Sequence, residues 1–488
     1  MIKRNNKERV IEEINENRLE NIFNIVPNLA DKVLDYVEEK YNITKMVSET
    51  IEDRRKKTSN IPMNLVLLSS VSAKMKQLYA ITELPLALTS NKMIENMKLN
   101  IYFDVKEGLL KEANIRAILK KYDHDKNEKL EYNNYFVNYF NEFNYELLSK
   151  AKIDCNIHIY DCSVLEVCLE NEKYEGSSIT TKDGVKKRGY KIGTLRGVTP
   201  NGGVIEEITM STAKEHDFSM SKDSVLNSKY LKEGDYLLED RGFLDIDQFK
   251  KLNKKGIFVI TPAKKNMEIY INAVEMAKKQ NNWKKHPNSK RKGQEITLVT
   301  NMERAWLNRS DQNKKPENLK LDYKINCCVI KFEIEKNKKL LTDEEILSSD
   351  GQYAYAVIMT NNIDLSCDEI IRLYEQRPEI EEDFRQLKDF WGLTEFRSTR
   401  YNLISFSIIS TLMGYNFYQL FKEDEIGKDY IGKNYITENK HGMIIVKSVY
   451  VAIVTEHYFG IFKQTELLDL YVALDKKKRE LIKNYLIL

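Results

Sequence analysis

The sequence predicts an α/β core, preceded by helices and interrupted by a partly β insertion. Three observations carry this. Apolar residues recur at helical intervals up to about residue 150, but from Asp154 the period changes: Cys155, Ile157 and Ile159 alternate towards Asp161 as in a strand, and Val164, Leu165 and Val167 continue the extended pattern. Tyr236-Leu237-Leu238, the turn Glu239-Asp240-Arg241-Gly242-Phe243, a short helix around Phe249 and Leu252 ending at Gly256, and Ile257 to Ile260 then read as strand, turn, helix, strand. Tyr355 to Met359 resumes the strand pattern and leads into a further helix, so strands and helices alternate as an α/β sheet requires.

Taken in order, residues 1–110 read as a helical N-terminal domain. Val10 and Ile14, then Ile22, Phe23 and Val26, then Val33, Leu34 and Val37 supply the helical spacing, with a break at Pro27. Residues 111–266 hold a pair of leading helices and the first part of the core. Residues 267–352 form the insertion, where Lys284, Lys285, Lys290, Arg291 and Lys292 cluster around Pro287 and β-like runs follow at Glu295 to Val299 and Cys327 to Ile334. Residues 353–421 complete the core; Ser366 and Glu369 make a capping box for the helix that carries Tyr374, and Pro378 predicts a kink or restart after Arg377. Residues 422–488 are expected to be a C-terminal helical region.

Composition narrows the function. The 488 residues can bury a large core, and Lys+Arg 77 against Asp+Glu 74 gives a net charge of only +3, so any surface for nucleic acid must be local. Six cysteines (Cys155, Cys162, Cys168, Cys327, Cys328, Cys367) contain no CxxC pair, and the adjacent Cys327 and Cys328 are poorly placed for a disulfide framework, which points to a reducing, intracellular compartment. The charged N-terminus lacks the apolar centre of a secretory signal, and the apolar stretch Leu403 to Phe421 carries Ser405, Ser407, Ser410, Thr411, Asn416 and Gln419, so a buried helix is expected and no membrane partner. Three motifs fail on their chemistry. Asp123, Asp125 and Asn127 imitate a calcium loop but are followed by Glu128 where glycine is needed and Asn134 where glutamate is needed. Gly427, Gly432 and Lys433 imitate a phosphate-cradling loop but meet Asn434 instead of Ser or Thr, so no nucleotide is expected; the six histidines show no zinc spacing. The runs Arg54 to Lys57 and Lys476 to Arg479 read as solvated faces.

The densest chemistry lies in YEQRPEIEEDFRQLK. At about 100° per residue, Tyr374, Arg377, Glu381 and Lys388 fall within roughly 60° of one helical face. A carboxylate among cations suits a metal-dependent enzyme acting on phosphodiesters, the acid holding a divalent ion and the cations holding phosphate oxygens. The plain alternative is a surface helix with i,i+4 ion pairs. Two further carboxylates, Asp161 in IHIYDCS and Asp240 in YLLEDRGF, follow strand patterns, where an α/β sheet leaves a crevice and where an Asp can also simply cap a turn.

Together these residues resemble the DDE transposases of bacterial insertion sequences, in particular the subgroup with a Tyr-Arg-Glu-Lys signature. Tyr374, Arg377, Glu381 and Lys388 match that signature at its spacing, Asp240-Arg241-Gly242-Phe243 resembles the motif of the second aspartate, and Asp161-Cys162-Ser163 is similar to the first, with Cys162 departing from the usual small residue or serine. The resemblance covers about 150 to 420. It implies a ribonuclease-H-like mixed sheet flanked by helices, with Asp161, Asp240 and Glu381 as catalytic residues holding two magnesium ions, for which manganese could substitute. It further implies cleavage of double-stranded DNA at transposon ends and transfer of the 3′-hydroxyl into target DNA, by a homodimer in the DNA complex and in a bacterial, nucleoid-associated cytoplasm. Arg377 and Lys388 would hold phosphates with Tyr374 beside them, Arg241 would neutralise the acidic cluster in the absence of metal, and the N-terminal 110 residues are candidates for binding the DNA end. Lys284, Lys285, Lys290, Arg291 and Lys292 would follow the backbone, and Trp306 would either stack on an unpaired base or pack in the core. The same triad would also serve a nuclease that cuts without joining, and the fold could persist in a non-catalytic DNA-binding protein.

Overall fold

The structure, a computed structural model, describes residues 4–25, 29–55, 61–81, 84–87, 90–97, 112–124, 129–182, 184–304, 320–337, 349, 351–424, 436–438, 444–446 and 450–486. Trp306, Asp125, and the Gly427 to Asn434 motif lie outside the described residues.

Among the helices that precede the sheet are α1 (Met63–Met75) and α2 (Tyr135–Ala151). The sheet then forms from β1 (Ile157–Val167), β2 (Ser178–Lys182), β3 (Val185–Thr199), β4 (Gly202–Thr212), helix α3 (Asp217–Asn227), β5 (Tyr236–Glu239), helix α4 (Ile246–Lys254) and β6 (Phe258–Pro262). It continues through α5 (Glu268–Gln280), β7 (Lys284–Lys285), β8 (Gln294–Arg304), β9 (Lys320–Glu333) and β10 (Tyr353–Thr360), and closes with α6 (Cys367–Tyr374), α7 (Pro378–Asp389) and α8 (Tyr401–Glu423). Strand order is β2-β3-β1-β5-β6-β10-β9-β8-β7, with β4 beside β3. Strands β1, β5 and β6 are parallel and every other pairing in this sheet is antiparallel. This is the expected ribonuclease-H-like class, a mixed sheet flanked by helices.

Alternation sorts the sheet into two cores. Ile159, Leu238, Ile260, Cys328 and Ile358 face the cluster that contains α1, α2 and α8, while Tyr160, Leu237, Val259, Cys327 and Val357 face a second cluster with α4 and α5. Helix α8 is the buried helix expected from its polar-dotted apolar run: the Ser405, Ser410 and Thr411 hydroxyls donate to carbonyls of its own preceding turn. Asn416 reaches across to β4, accepting from Ile205 N at 3.0 Å and donating to Ile205 O at 2.7 Å. Among the described residues no helix is long and apolar enough to cross a membrane.

Three expectations are corrected. Leu19–Ile25 is a strand, not a helix, because its apolar residues find a partner far along the chain, Tyr450–Thr455. With Arg4–Asn5 and Tyr458–Lys463 these make a four-stranded sheet from both ends of the chain, so the N-terminal region is not wholly helical and the C-terminal region combines strands with the helices Gln464–Ala473 and Lys476–Leu486. The insertion contains strands, and they prolong the main sheet: β9 pairs with β10, which pairs with β6. Finally, Cys328 on β9 and Cys367 at the start of α6 form a disulfide with Cα atoms 5.3 Å apart, a pairing that the packing of α6 on β9 creates and that contradicts the expected absence of disulfides.

Candidate active site

Strand register brings the two aspartates together. Tyr160 on β1 lies opposite Glu239 on the parallel β5, so the next residues, Asp161 and Asp240, stand side by side where the parallel pairing ends. Asp161 is thus inside a strand that runs on to Val167, not at its end as the sequence suggested, because the antiparallel partner β3 carries β1 further. Period two puts Asp161 and Ser163 on the face of Ile159, and Asp240 on that of Leu238, the face that α7 covers. Asp240 opens a tight turn in which Phe243 N donates to its carbonyl at 3.1 Å and Arg241 N to its Oδ1 at 2.7 Å.

The third carboxylate arrives on α7. The capping box of Ser366 and Glu369 starts α6 as expected, and the chain leaves it at Tyr374 through a tight turn in which Arg377 N donates to Tyr374 O at 3.0 Å. Pro378 then occupies the first position of α7, where its missing N–H costs nothing. Arg377 keeps helical angles (φ −53, ψ −41) despite the following proline, so the stripe predicted for one helix survives across two. Buried contacts of Ile380, Phe384 and Leu387 leave Glu381 on the outer side of α7, its side chain 57% exposed.

Arg377 is the centre of the arrangement. One terminal nitrogen lies 3.2 Å from Asp161 Oδ2 and the other 2.7 Å from Glu381 Oε1, while its Nε is buried without a hydrogen-bond partner among the described residues. Burial works against the charge of Arg377, but Asp161, Asp240, Tyr374 and Glu381 together push its pKa upward. Asp161 is pushed up to about 6 by burial, with Asp240 and Glu381 adding to the rise and Arg377 opposing it. Burial likewise raises the Tyr374 hydroxyl, which senses Arg377, Asp240 and Glu381. Lys388 donates to Ser163 Oγ at 2.7 Å, two residues beyond Asp161 on β1. Arg377, not Arg241, therefore balances the acidic cluster: Arg241 is exposed, and Arg377 reaches two of the carboxylates directly.

All three carboxylates and the stripe residues Tyr374, Arg377 and Lys388 are brought to this place. The basic segment is not: Lys284 pairs with Asp368, and Arg291 lies 3.4 Å from Glu375, so it docks on the two ends of α6 with Lys285, Lys290 and Lys292 exposed around it. Two residues of the site went unnoticed in the sequence. Ser163 was visible only as part of the Asp161 motif, and Lys264, whose pKa burial and Arg241 lower while Asp240 raises it, stands two residues past the end of β6. Hard carboxylate oxygens are the donors magnesium or manganese prefers, so the residues present suit such an ion. As they stand Arg377 occupies the space between Asp161 and Glu381, and among the described residues no group of three acidic, histidine or cysteine side chains is gathered closely enough to hold a metal.

A mixed sheet flanked by helices, with two aspartates side by side at neighbouring parallel strands and a glutamate facing them from a helix, is a ribonuclease-H-like arrangement. Residues 157–417, more than half of the chain, match the transposase DDE domain family, and the chain belongs to that family. No curated protein matches it. Membership makes it a transposase of insertion-sequence type that acts on DNA, in a family that generally uses divalent metal ions.

Proposed function

We propose that this transposase, of the Tyr-Arg-Glu-Lys subgroup, cleaves double-stranded DNA at the ends of its element and transfers the freed 3′-hydroxyl into target DNA, with Asp161, Asp240 and Glu381 as its catalytic carboxylates. The observation that carries the reading is the meeting of Asp161 and Glu381 on Arg377, with Asp240 beside Asp161 and near enough for Arg377 to feel its charge. Asp161, Asp240 and Glu381 would hold magnesium or manganese, whose chemistry when bound is Lewis-acid stabilisation of the attacking and leaving oxygens of an in-line displacement. Arg377 offers a planar fork suited to a phosphate, and its buried, partnerless Nε leaves one donor over. Lys388, held by Ser163, sets a point charge beside β1, and Tyr374 walls the site and lends it a low dielectric. The exposed Lys285, Lys290 and Lys292 would follow the DNA backbone as it leaves the site.

The test separates joining from cutting. Given precut ends with free 3′-hydroxyls, magnesium and a supercoiled plasmid, the protein is expected to yield plasmid covalently linked to the ends. If it cuts its ends in a triad-dependent way yet joins none with any divalent ion, it is a nuclease and the strand-transfer reading fails.

A further inference from the structure

Arg196 is one of the largest fully buried side chains of the protein, 2% exposed, and nothing in the proposed chemistry uses it. It lies on β3 directly opposite Ile159, two residues before Asp161, and so on the same face of the sheet as Asp161. Its Nε donates to Oδ2 of Asp383 on α7, and a terminal nitrogen stands 3.0 Å from Glu379 Oε2. Tyr415 of α8 donates to the other Asp383 oxygen at 2.9 Å. The space is reserved for the guanidinium: a Cβ on Gly203 of β4 would run into it.

Stability alone does not explain this group. Replacing a buried ion pair by apolar residues of similar volume is often neutral or stabilising by about 1–4 kcal/mol, and α7 already buries Ile380, Phe384 and Leu387. Apolar contacts tolerate sliding and rotation, whereas an ion pair with fixed hydrogen bonds does not. Asp383 is two residues past Glu381, about 200° around the helix, so holding Asp383 inward fixes Glu381 outward. A one-residue slip of α7 would turn Glu381 by about 100° and shift it about 1.5 Å.

We infer that Arg196 and Asp383, secured by Tyr415, form a positioning pair that sets the register of α7 against β1 and thereby places Glu381 and Lys388 opposite Asp161. This rests on the reading that Glu381 and Asp161 work together in cleavage. The test is the double substitution Arg196→Met with Asp383→Leu, which removes both charges and keeps the volume. Binding of end DNA in a gel shift should weaken no more than it does for Lys388→Ala, and melting should stay within a few degrees of the wild type or rise. The single-turnover cleavage rate constant should fall roughly 10- to 100-fold, as for a catalytic group displaced by about 1 Å. The manganese concentration for half-maximal cleavage should rise several-fold, and so should the dissociation constant for terbium, read without DNA from tyrosine-sensitised luminescence. A folded double variant with the wild-type rate constant, manganese midpoint and terbium affinity overturns the inference, as does a loss of cleavage that only tracks a smaller folded fraction. Should the double variant fail to fold, Asp383→Asn decides: a lowered rate constant at unchanged melting temperature supports the pairing, and a wild-type rate constant overturns it. If the wild type itself cuts no end DNA, the functional reading is what fails; the terbium comparison then decides the positioning pair on its own, weaker binding by the variant supporting it and equal binding overturning it.

Discussion

His158 offers the sharpest pH test. It lies near the start of β1, 1% exposed, with Nδ1 2.7 Å from Glu206 Oε2 on β4 and Nε2 3.4 Å from Asp235 Oδ2, immediately before β5. One imidazolium thus braces the strands whose continuations carry Asp161 and Asp240. Burial alone would lower its pKa, but the two carboxylates outweigh burial and push it from the ordinary 6.5 up to about 9. The folded chain therefore holds one more proton than the unfolded chain across that window, and the stability this supplies is complete below pH 6.5 and lost as the pH rises through 9. A shift of this size corresponds to about 3 kcal/mol, at about 1.4 kcal/mol per pH unit. The assay is urea unfolding at half-unit steps across the window, comparing the wild type with the double variant His158→Gln and Glu206→Gln, which removes both charges and keeps polar partners. The wild type should lose more stability than the variant between the ends of the window, by an amount on the order of 3 kcal/mol, with the groups common to both proteins cancelling in the difference. Parallel pH profiles would refute the imidazolium brace.

Asp161→Asn, Asp240→Asn and Glu381→Gln are each expected to abolish cleavage of end-containing DNA while leaving its gel shift largely intact, and chelation should do the same to the wild type; normal cleavage by any one variant would remove that residue from the triad. Arg377→Ala and Lys388→Ala should weaken binding to every end sequence by a similar factor and reduce the slope of log affinity against log salt by about one unit each, whereas a changed sequence preference at constant slope would mean base readout. Reducing the Cys328–Cys367 bridge opens a loop spanning 39 residues of sequence, so the unfolding free energy should fall by up to about 4 kcal/mol, and Cys328→Ser should abolish the difference between oxidised and reduced protein.

What the sequence made legible is what local periodicity controls. The alternation around Ile157 and Ile159 gave β1, the capping box of Ser366 and Glu369 gave α6, and the spacing of Glu381 and Lys388 gave a stripe that the fold turns towards β1. What stayed hidden depends on partners distant in the chain. Ile22 has the spacing of a helix until its strand meets Ile453, more than 400 residues away. Nothing local shows that Ile358 will pair with Pro262 and join the inserted strands to the core. The same holds for charge: Arg241 is adjacent to Asp240 in sequence, but only the packing of α7 on β1 reveals that Arg377 is the cation in contact.

That packing also explains why the three carboxylates are unequal. Asp161 sits low in the sheet, where burial disfavours its charge even with Arg377 beside it, while Glu381 is mostly exposed on the outer side of α7. A single guanidinium spans the two, and Asp240 lies close enough to be felt by both Asp161 and Arg377. At the depth of Asp161, where the low dielectric makes unbalanced charge most costly, Arg377 is in contact with two of the three acids, while Lys388 donates to Ser163 and Lys264 feels Asp240. On the proposed reading this is a ground state prepared for a divalent cation to arrive: Arg377 bridges Asp161 and Glu381, Lys388 donates to Ser163 two residues beyond Asp161, and the exposed side of Glu381 marks the direction from which DNA would approach.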